Sequence, residues 1–165
     1  GDLVVIHDAS ATALRKMTVA NLVANAGGGK VLQVVLATKT DEFSTTNTSS
    51  HQATGLTVNI TPSATSSKVL ILANGTCRND TNGEFAAIII KRDSTNLSGG
   101  TTDLVRFGGN NTATLAPAQL QILDSPSSTS QLAYGVFMYT SGGGSTSKFN
   151  VSGTDASILA IEIGA

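Results

Sequence analysis

The stretch GLTVNIT, residues 55–61, decides the class of fold. Its apolar residues Leu56, Val58 and Ile60 alternate with polar ones. A period of two places the apolar side chains on one face of a β-strand and the polar ones on the other. The stretch therefore predicts a strand with one face in a core and the other in solvent.

Comparable apolar stretches recur along the chain at intervals of roughly 8 to 15 residues, each followed by a cluster of Gly, Asn, Ser or Thr. That spacing is typical of a β-sandwich or barrel, because every cluster marks a turn between neighbouring strands. The predicted strands are 31–38, 56–61, 68–76, 84–91, 102–107, 114–123, 131–139, 147–151 and 157–163.

The composition agrees with an all-β domain. Charged residues make up only 13% of the 165 residues, hydrophobic residues make up 40%, and serine and threonine supply about a quarter. Hydroxyl side chains are compatible with strands and turns, and the length is enough for one domain with a real core. The polar surface must therefore come mainly from uncharged groups.

Several predicted strands are apolar on both faces, although a two-layer sandwich buries only one face of each sheet. Examples are KVLILA (68–73), EFAAIIIK (84–91), LAYGVFMY (132–139) and SILAIEI (157–163). The second face needs cover, and the two candidates are long loops of the same chain or another copy of the sheet. We favour a homo-oligomer with an apolar interface.

The first 29 residues form a separate small module. Leu3–His7 and Leu14–Val19 are predicted strands joined by a turn, and Thr18 is the N-cap of a short helix that ends at the glycines 27–29. The module is too small to fold alone, so we interpret 1–29 as a trimerisation neck with a Gly-rich hinge. Residues 30–165 are the β-sandwich tip.

Charge and hydropathy exclude several partners. A net charge of −1 gives no basis for nucleic-acid binding, which needs clustered cations. The longest apolar runs are far shorter than the roughly 20 residues of a membrane-spanning helix, so no membrane insertion is expected. The single cysteine, Cys77, forms no internal disulfide and is interpreted as a small core residue.

The residues offer little catalytic chemistry. His7 and His51 are far apart and lack metal-ligand spacing, while the Asp and Glu residues lie mostly beside turns. The glycines before Lys30 lack the spacing of a phosphate loop, and the chain has no Trp to stack a sugar in a hydrolytic cleft. We expect no enzyme activity, no catalytic residues, no metal and no cofactor.

Two stretches carry a family resemblance. DLVVIHDASATALRKMTVANLVA (2–24) resembles a short segment that recurs in bacteriophage tail-fibre and related virion proteins. VLQVVLATKTDEFSTTNTSSHQATGLTVNITPSATSSKVLILANG (31–75) and the ending SILAIEIGA are similar to the β-sandwich tips of phage fibres, especially of environmental and marine phages. The positions that match the short segment are Asp2, Asp8, Ser10, Leu14, Arg15, Lys16, Thr18 and Leu22.

The resemblance implies an exposed virion protein. Such tips are commonly homotrimers that join other virion proteins on their N-terminal side and attach to a glycan or protein on the host surface. It is consistent with a jelly-roll-like antiparallel β-sandwich of the C1q/TNF-like type, preceded by a strand-strand-helix neck. Three alternatives stay open: a capsid, tail-decoration or head-fibre protein, a polysaccharide depolymerase, and a cellular trimeric ligand.

Strand parity predicts which loops would face the host. If the strands run alternately up and down, the linker enters at the end that carries 61–67, 92–101, 124–130 and 152–156. The far end then carries 41–55, CRNDTNG (77–83), GGNNTA (108–113) and SGGGST (141–146). The predicted receptor contacts at that end are His51, Arg78, Asn79, Asp80, Asn82, Asn110 and Asn111, with hydrogen-bonding groups suited to a glycan.

Overall fold

The computed structural model describes residues 3–8, 13–18, 29–99, 103–109, 115–151 and 153–164. All regular elements in these ranges are strands, so none of these residues belongs to a helix that could cross a membrane. The strands are β1 (Leu3–Asp8), β2 (Ala13–Thr18), β3 (Val31–Lys39), β4 (Phe43–Thr45), β5 (Gln52–Ile60), β6 (Lys68–Asn79), β7 (Phe85–Arg92), β8 (Thr95–Asn96), β9 (Val105–Gly108), β10 (Ala116–Asp124), β11 (Leu132–Thr140), β12 (Ser147–Phe149) and β13 (Ala156–Ile163).

The strands from β3 onwards form two antiparallel sheets. The β6 sheet has the order β3-β13-β6-β10. Toward the far end the short strand β12 takes the place of β13 beside β6, and β4 takes the place of β3 beside β12. The β7 sheet has the order β5-β11-β7, with β8 and β9 both paired to β7. Counting β9 but not the two-residue β8, each sheet has four principal strands, and these eight make a jelly-roll arrangement. The prediction of an all-β antiparallel sandwich is confirmed.

The core lies between the two sheets. Leu56, Val58 and Ile60 are at most 2% exposed and face inward from β5, as the alternation predicts. β5 begins at Gln52, four residues before the predicted start. The apolar alternation does not extend to these residues, because the inward side chain at position 54 is the polar Thr54. The Thr54 hydroxyl donates to the Val136 carbonyl at 2.8 Å, so the polar group is accommodated in the core.

The outer faces of the two sheets differ. On β7, Ala87 and Ile89 point away from the core and are fully buried, and on the same face Asp103, just before β9, contacts His51, just before β5. On the β6 sheet, Val34 and Leu36 are 56% and 61% exposed. The outer face of β7 is therefore covered, although Thr57 and Asn59 on β5 are exposed, while the described residues leave the apolar outer face of the β6 sheet open.

One connection departs from the predicted parity. β12 and β13 run in the same direction and pair with successive parts of the same edge of β6. The connection between them therefore lies in the middle of the sheet and not at either end of the sandwich. Asn150 makes the detour with a positive φ of 59°, and its side-chain amide donates to the carbonyls of Lys39 and Asp41. The prediction that 152–156 lies at the linker end is wrong.

The N-terminal residues form a hairpin of their own. β1 and β2 pair antiparallel from Leu3 opposite Thr18 to Asp8 opposite Ala13, and neither strand joins the sandwich sheets. The two predicted neck strands are therefore confirmed. The predicted helix and the glycines at 27 and 28 lie outside the described residues, and the domain boundary at residue 29 stays a prediction.

A buried carboxylate links two strands and a loop at the linker end of the sandwich. Glu162 on β13 is fully buried, and its oxygens accept hydrogen bonds from the Ser63 amide and hydroxyl, both at 2.7 Å, and from Gln33 Nε2 at 2.6 Å. Burial acts to raise the pKa of Glu162, but the hydrogen bonds from Ser63 and Gln33 outweigh it and lower the pKa to about 2. The carboxylate is thus charged and joins β13 and β3 to the loop after β5.

Glu162→Gln is expected to lower the free energy of unfolding at pH 7 by about 2 kcal/mol, the scale of hydrogen bonds to a charged group. The folded pKa lies below the ordinary value of 4.5, so the stabilisation is present above 4.5 and is lost as the pH falls toward about 2. Urea unfolding of both proteins between pH 7 and pH 3 measures this. A difference that stays constant over the whole range would contradict it.

Candidate functional site

The loops at the end opposite the linker are locked together by backbone hydrogen bonds. The Thr140 amide donates to the Asn47 carbonyl at 2.9 Å, and the Asp80 amide donates to the Thr146 carbonyl at 3.1 Å. The Gly109 amide donates to the Glu84 carbonyl at 2.6 Å. Loops that hold one another in this way form a preorganised surface, which lowers the entropic cost of binding a ligand.

Asn79 is the centre of this loop cluster and not part of its surface. Its side chain is fully buried, and its Nδ2 donates to the hydroxyls of Thr140 and Ser147, both at 3.0 Å. Its Oδ1 accepts from the Thr81 amide at 2.9 Å and from the Ser145 hydroxyl at 3.0 Å. The predicted receptor contact at Asn79 is therefore corrected to a residue that positions the far-end loops.

Arg78 and Asp80 form the predicted charged pair at the far end. Arg78 Nε lies 2.5 Å from Asp80 Oδ1, and Nη2 donates to Oδ2 at 3.3 Å. Lys148 lies beside Arg78 in the β6 sheet and pairs with Glu42 at 3.0 Å. Asn82 is exposed in the turn before β7, whereas Asn110 and Asn111 lie outside the described residues.

The outer face of the β6 sheet changes character from one end to the other. The row at the linker edge holds the exposed Lys68 beside Ile163 and Val31. The next two rows are mainly aliphatic: Val34, Ile161, Leu70 and Leu123 form one, and Leu36, Leu159, Leu72 and Gln121 form the other. The following row is polar and uncharged, with Thr38, Ser157, Asn74 and Gln119. The charged residues Arg78 and Lys148 lie beyond it. The aliphatic rows therefore lie in the linker half of this face, and the polar and charged rows toward the far end.

His51 faces a different surface, the outer face of the β7 sheet. Its Nε2 lies 2.9 Å from Asp103 Oδ1, and the second oxygen of Asp103 accepts from Arg106 Nε at 2.7 Å. The Asp103 side chain is only 1% exposed, whereas that of Arg106 is 56% exposed. Burial lowers the pKa of His51 more than Asp103 raises it, so the imidazole is neutral at pH 7.

Aromatic side chains connect His51 to Arg106, so that the contacts form a closed ring that includes the Asp103 carboxylate. The His51 ring packs against Tyr139 at a centroid distance of 4.6 Å, and Tyr139 lies 6.2 Å from Phe85. The Arg106 guanidinium lies 4.6 Å from the centre of the Phe85 ring and returns to Asp103. We call these five residues the Asp103 ring: Asp103, Arg106, Phe85, Tyr139 and His51.

Sequence reasoning singled out His51 in this ring but missed its partners. Asp103 is 52 positions from His51, and the contact joins residues next to β5 and β9, the strands at opposite edges of the β7 sheet. One local signal was present, since Asp103 and Arg106 are three residues apart and form an ion pair. Such a pair occurs on many surfaces, so the spacing alone did not indicate a site.

The site has no arrangement suited to metal or thiol chemistry. Among the described residues, no group of three or more His, Cys, Asp or Glu side chains is placed to hold a metal ion. Cys77 is buried in the core, and burial raises its pKa to about 11, so the unreactive thiol is the dominant form at neutral pH. The interpretation of Cys77 as a core residue is confirmed.

Comparison with known proteins gives only a distant likeness of fold. No family model and no curated protein sequence matches the chain. Similar solved structures include that of the infectious bursal disease virus Gx strain, 14% identical over 80% of this chain with a TM-score of 0.46. Another is the VP2 subviral particle of the same virus, 12% identical over 81% of this chain with a TM-score of 0.42.

The chain spans 37% and 39% of the length of those two viral chains. At such identities and TM-scores the likeness supports no functional conclusion. The assignment of a β-sandwich therefore rests on the strand order observed in this protein.

Proposed function

We propose that this protein is a structural virion protein, the distal part of a phage tail fibre that binds a host surface receptor, with a glycan as the expected ligand. The observation that carries the proposal is that the two ends of the molecule present different surfaces. An open aliphatic face lies toward the linker end, and a cluster of interlocked polar loops lies at the opposite end. This division suits a protein that assembles with one region and binds with another.

Self-association is the first half of the proposal. The outward aliphatic rows on the β6 sheet are uncharged, so a second copy can meet them without burying an unpaired charge. Four strands over the roughly four residues that the two rows span present an apolar area of about 250 Å². A stable interface buries about 800 Å² per partner, so these rows would supply the apolar centre of the interface and the residues around them the rest. We expect a homotrimer of the C1q/TNF-like kind, in which each copy covers the face of another.

Attachment through the far end is the second half. The sandwich is entered at Lys30, whose carbonyl accepts from the Gly164 amide at the linker end. The loop cluster built around Asn79 lies at the other end, opposite the point where the chain enters the sandwich. The exposed residues Asp80 and Asn82 and the half-buried Arg78 offer hydrogen-bond donors and acceptors for sugar hydroxyls.

A glycan array tests attachment directly. The purified protein is expected to bind one glycan or a few related glycans, and the double variant Arg78→Ala, Asp80→Ala should weaken that binding about tenfold. Removing both partners of an ion pair leaves no unpaired charge, so the fold should remain intact. Lys68→Ala, at the linker end, is the matched control and should bind normally.

Two outcomes would overturn this proposal. Binding that survives in the double variant would remove the far end as the contact surface. Release of reducing ends from host polysaccharide would indicate a depolymerase instead. Cryo-electron microscopy of intact virions tests the location, since a copy on the head or along the tail tube would contradict a fibre tip.

A further inference from the structure

The Asp103 ring stands out because the chain has so few aromatic residues. There are two tyrosines, five phenylalanines and no tryptophan. Phe85, Phe137 and Tyr139 nevertheless share the outer face of the β7 sheet, and two cations, Lys91 and Arg106, accompany them. Lys91 Nζ lies 4.6 Å from the centre of the Phe137 ring, and Arg106 covers Phe85 at the same distance. Core packing does not require this clustering, because all three rings face away from the core.

Arg106 is held in place through its Nε atom and the plane of its guanidinium. Its Nε donates to the buried carboxylate of Asp103, and its guanidinium plane rests on Phe85. No other described residue accepts a hydrogen bond from its two Nη atoms, and the side chain is 56% exposed. A fixed guanidinium with two free parallel donors is suited to bidentate recognition of an acidic group.

The charges on this face favour an anion. His51 is neutral, so the single charge of Asp103 offsets that of Arg106, and Lys91 adds a further positive charge. The Tyr139 hydroxyl has no acceptor or donor among the described residues, so it is free to bond a sugar hydroxyl. The aromatic rings supply an apolar platform of the kind on which a sugar ring packs.

We infer that the Asp103 ring is a binding site for an acidic saccharide, with the sugar's carboxylate or sulfate on Arg106 and a ring hydroxyl on Tyr139. This inference deepens the proposed receptor binding and rests on it. The site lies on the flank next to the far-end loops, so a ligand there would contact the side of the fibre tip as well as its end.

Titration of the full-length protein with glucuronate, glucose 6-sulfate and glucose, followed by nuclear magnetic resonance, tests the inference. At least one of the acids is expected to bind more tightly than glucose. Arg106→Ala should weaken acid binding about 10- to 100-fold, the scale of a pair of hydrogen bonds to a charged group. Tyr139→Phe should weaken it severalfold, and Lys68→Ala, which removes an exposed cation at the linker end, is the control and should leave it unchanged.

Equal binding of all three sugars would overturn the inference, as would unchanged acid binding in a folded Arg106→Ala variant. If Arg106→Ala does not fold, Arg106→Lys carries the same test, because it keeps the charge but loses the two-pronged geometry. On the glycan array, loss of binding with Arg78→Ala, Asp80→Ala but not with Arg106→Ala would leave the proposed function standing and reject the Asp103 ring as the site.

Discussion

Glutamate placed at Leu36 and Leu72 together is expected to convert the proposed trimer into a monomer. Both side chains lie in one cross-strand row with Leu159, and they are 61% and 37% exposed in the single chain. A charge at either position stays in water in the monomer but would be buried without a partner in the interface. We expect self-association to weaken by about 100-fold or more, since burying an unpaired charge costs several kcal/mol.

Light scattering coupled to gel filtration at micromolar concentration measures the change. Thr57→Glu with Asn59→Glu is the matched control, because both residues are exposed on β5 in the other sheet. This control should remain a trimer. All three proteins should have similar melting temperatures after correction for the stabilisation that association itself provides. A native protein that is already monomeric at this concentration, or a Leu36, Leu72 variant that stays trimeric, would reject the interface.

Asn79→Ala is expected to cause the largest loss of stability at the far end, about 3 to 4 kcal/mol. The substitution removes both donors and the acceptor of a fully buried amide that bonds three hydroxyls and one backbone amide. Thr140 and Ser145 already bond each other at 3.1 Å, so part of the network can survive. The Thr81 amide and the Ser147 hydroxyl would lose their Asn79 partner in a site with little access to water.

Urea unfolding and amide hydrogen exchange measure this effect. Asn82→Ala is the control, because Asn82 is an exposed asparagine in the adjacent turn and should change stability by no more than about 0.5 kcal/mol. Exchange should accelerate at Asp80, whose amide bonds the Thr146 carbonyl, because the far-end loops lose their common anchor. A loss below about 1 kcal/mol would show that the hydroxyls satisfy one another without Asn79.

Asn79 also illustrates how far a local pattern can be followed. Val69, Ile71 and Ala73 all face the core, and the same period of two continues through Cys77 to Asn79. The predicted strand ended at residue 76, because CRNDTNG reads as a turn. Extending the alternation by three residues would have placed Asn79 inside and Arg78 outside. A polar residue at an inward position was the available signal.

The sequence by itself determined the class of fold. Alternation in stretches such as 55–61 reports burial on one face, and burial of one face is what makes a strand pack into a sandwich. The predicted core residues Leu56, Val58 and Ile60 follow from that alternation alone. The hairpin of β1 and β2 was equally readable, since its two strands are close in sequence.

Only the tertiary structure decided which apolar faces are covered and which polar groups meet. The strands at 68–73 and 84–91 look alike in sequence, yet the outward side chain of Ile89 is fully buried while that of Leu72 stays 37% exposed. The contact of His51 with Asp103 joins residues next to opposite edges of the β7 sheet. Local periodicity indicates which side chains lie on each face of a strand. Whether another part of the chain covers a face depends on contacts between residues far apart in the sequence, and no local pattern contains these contacts.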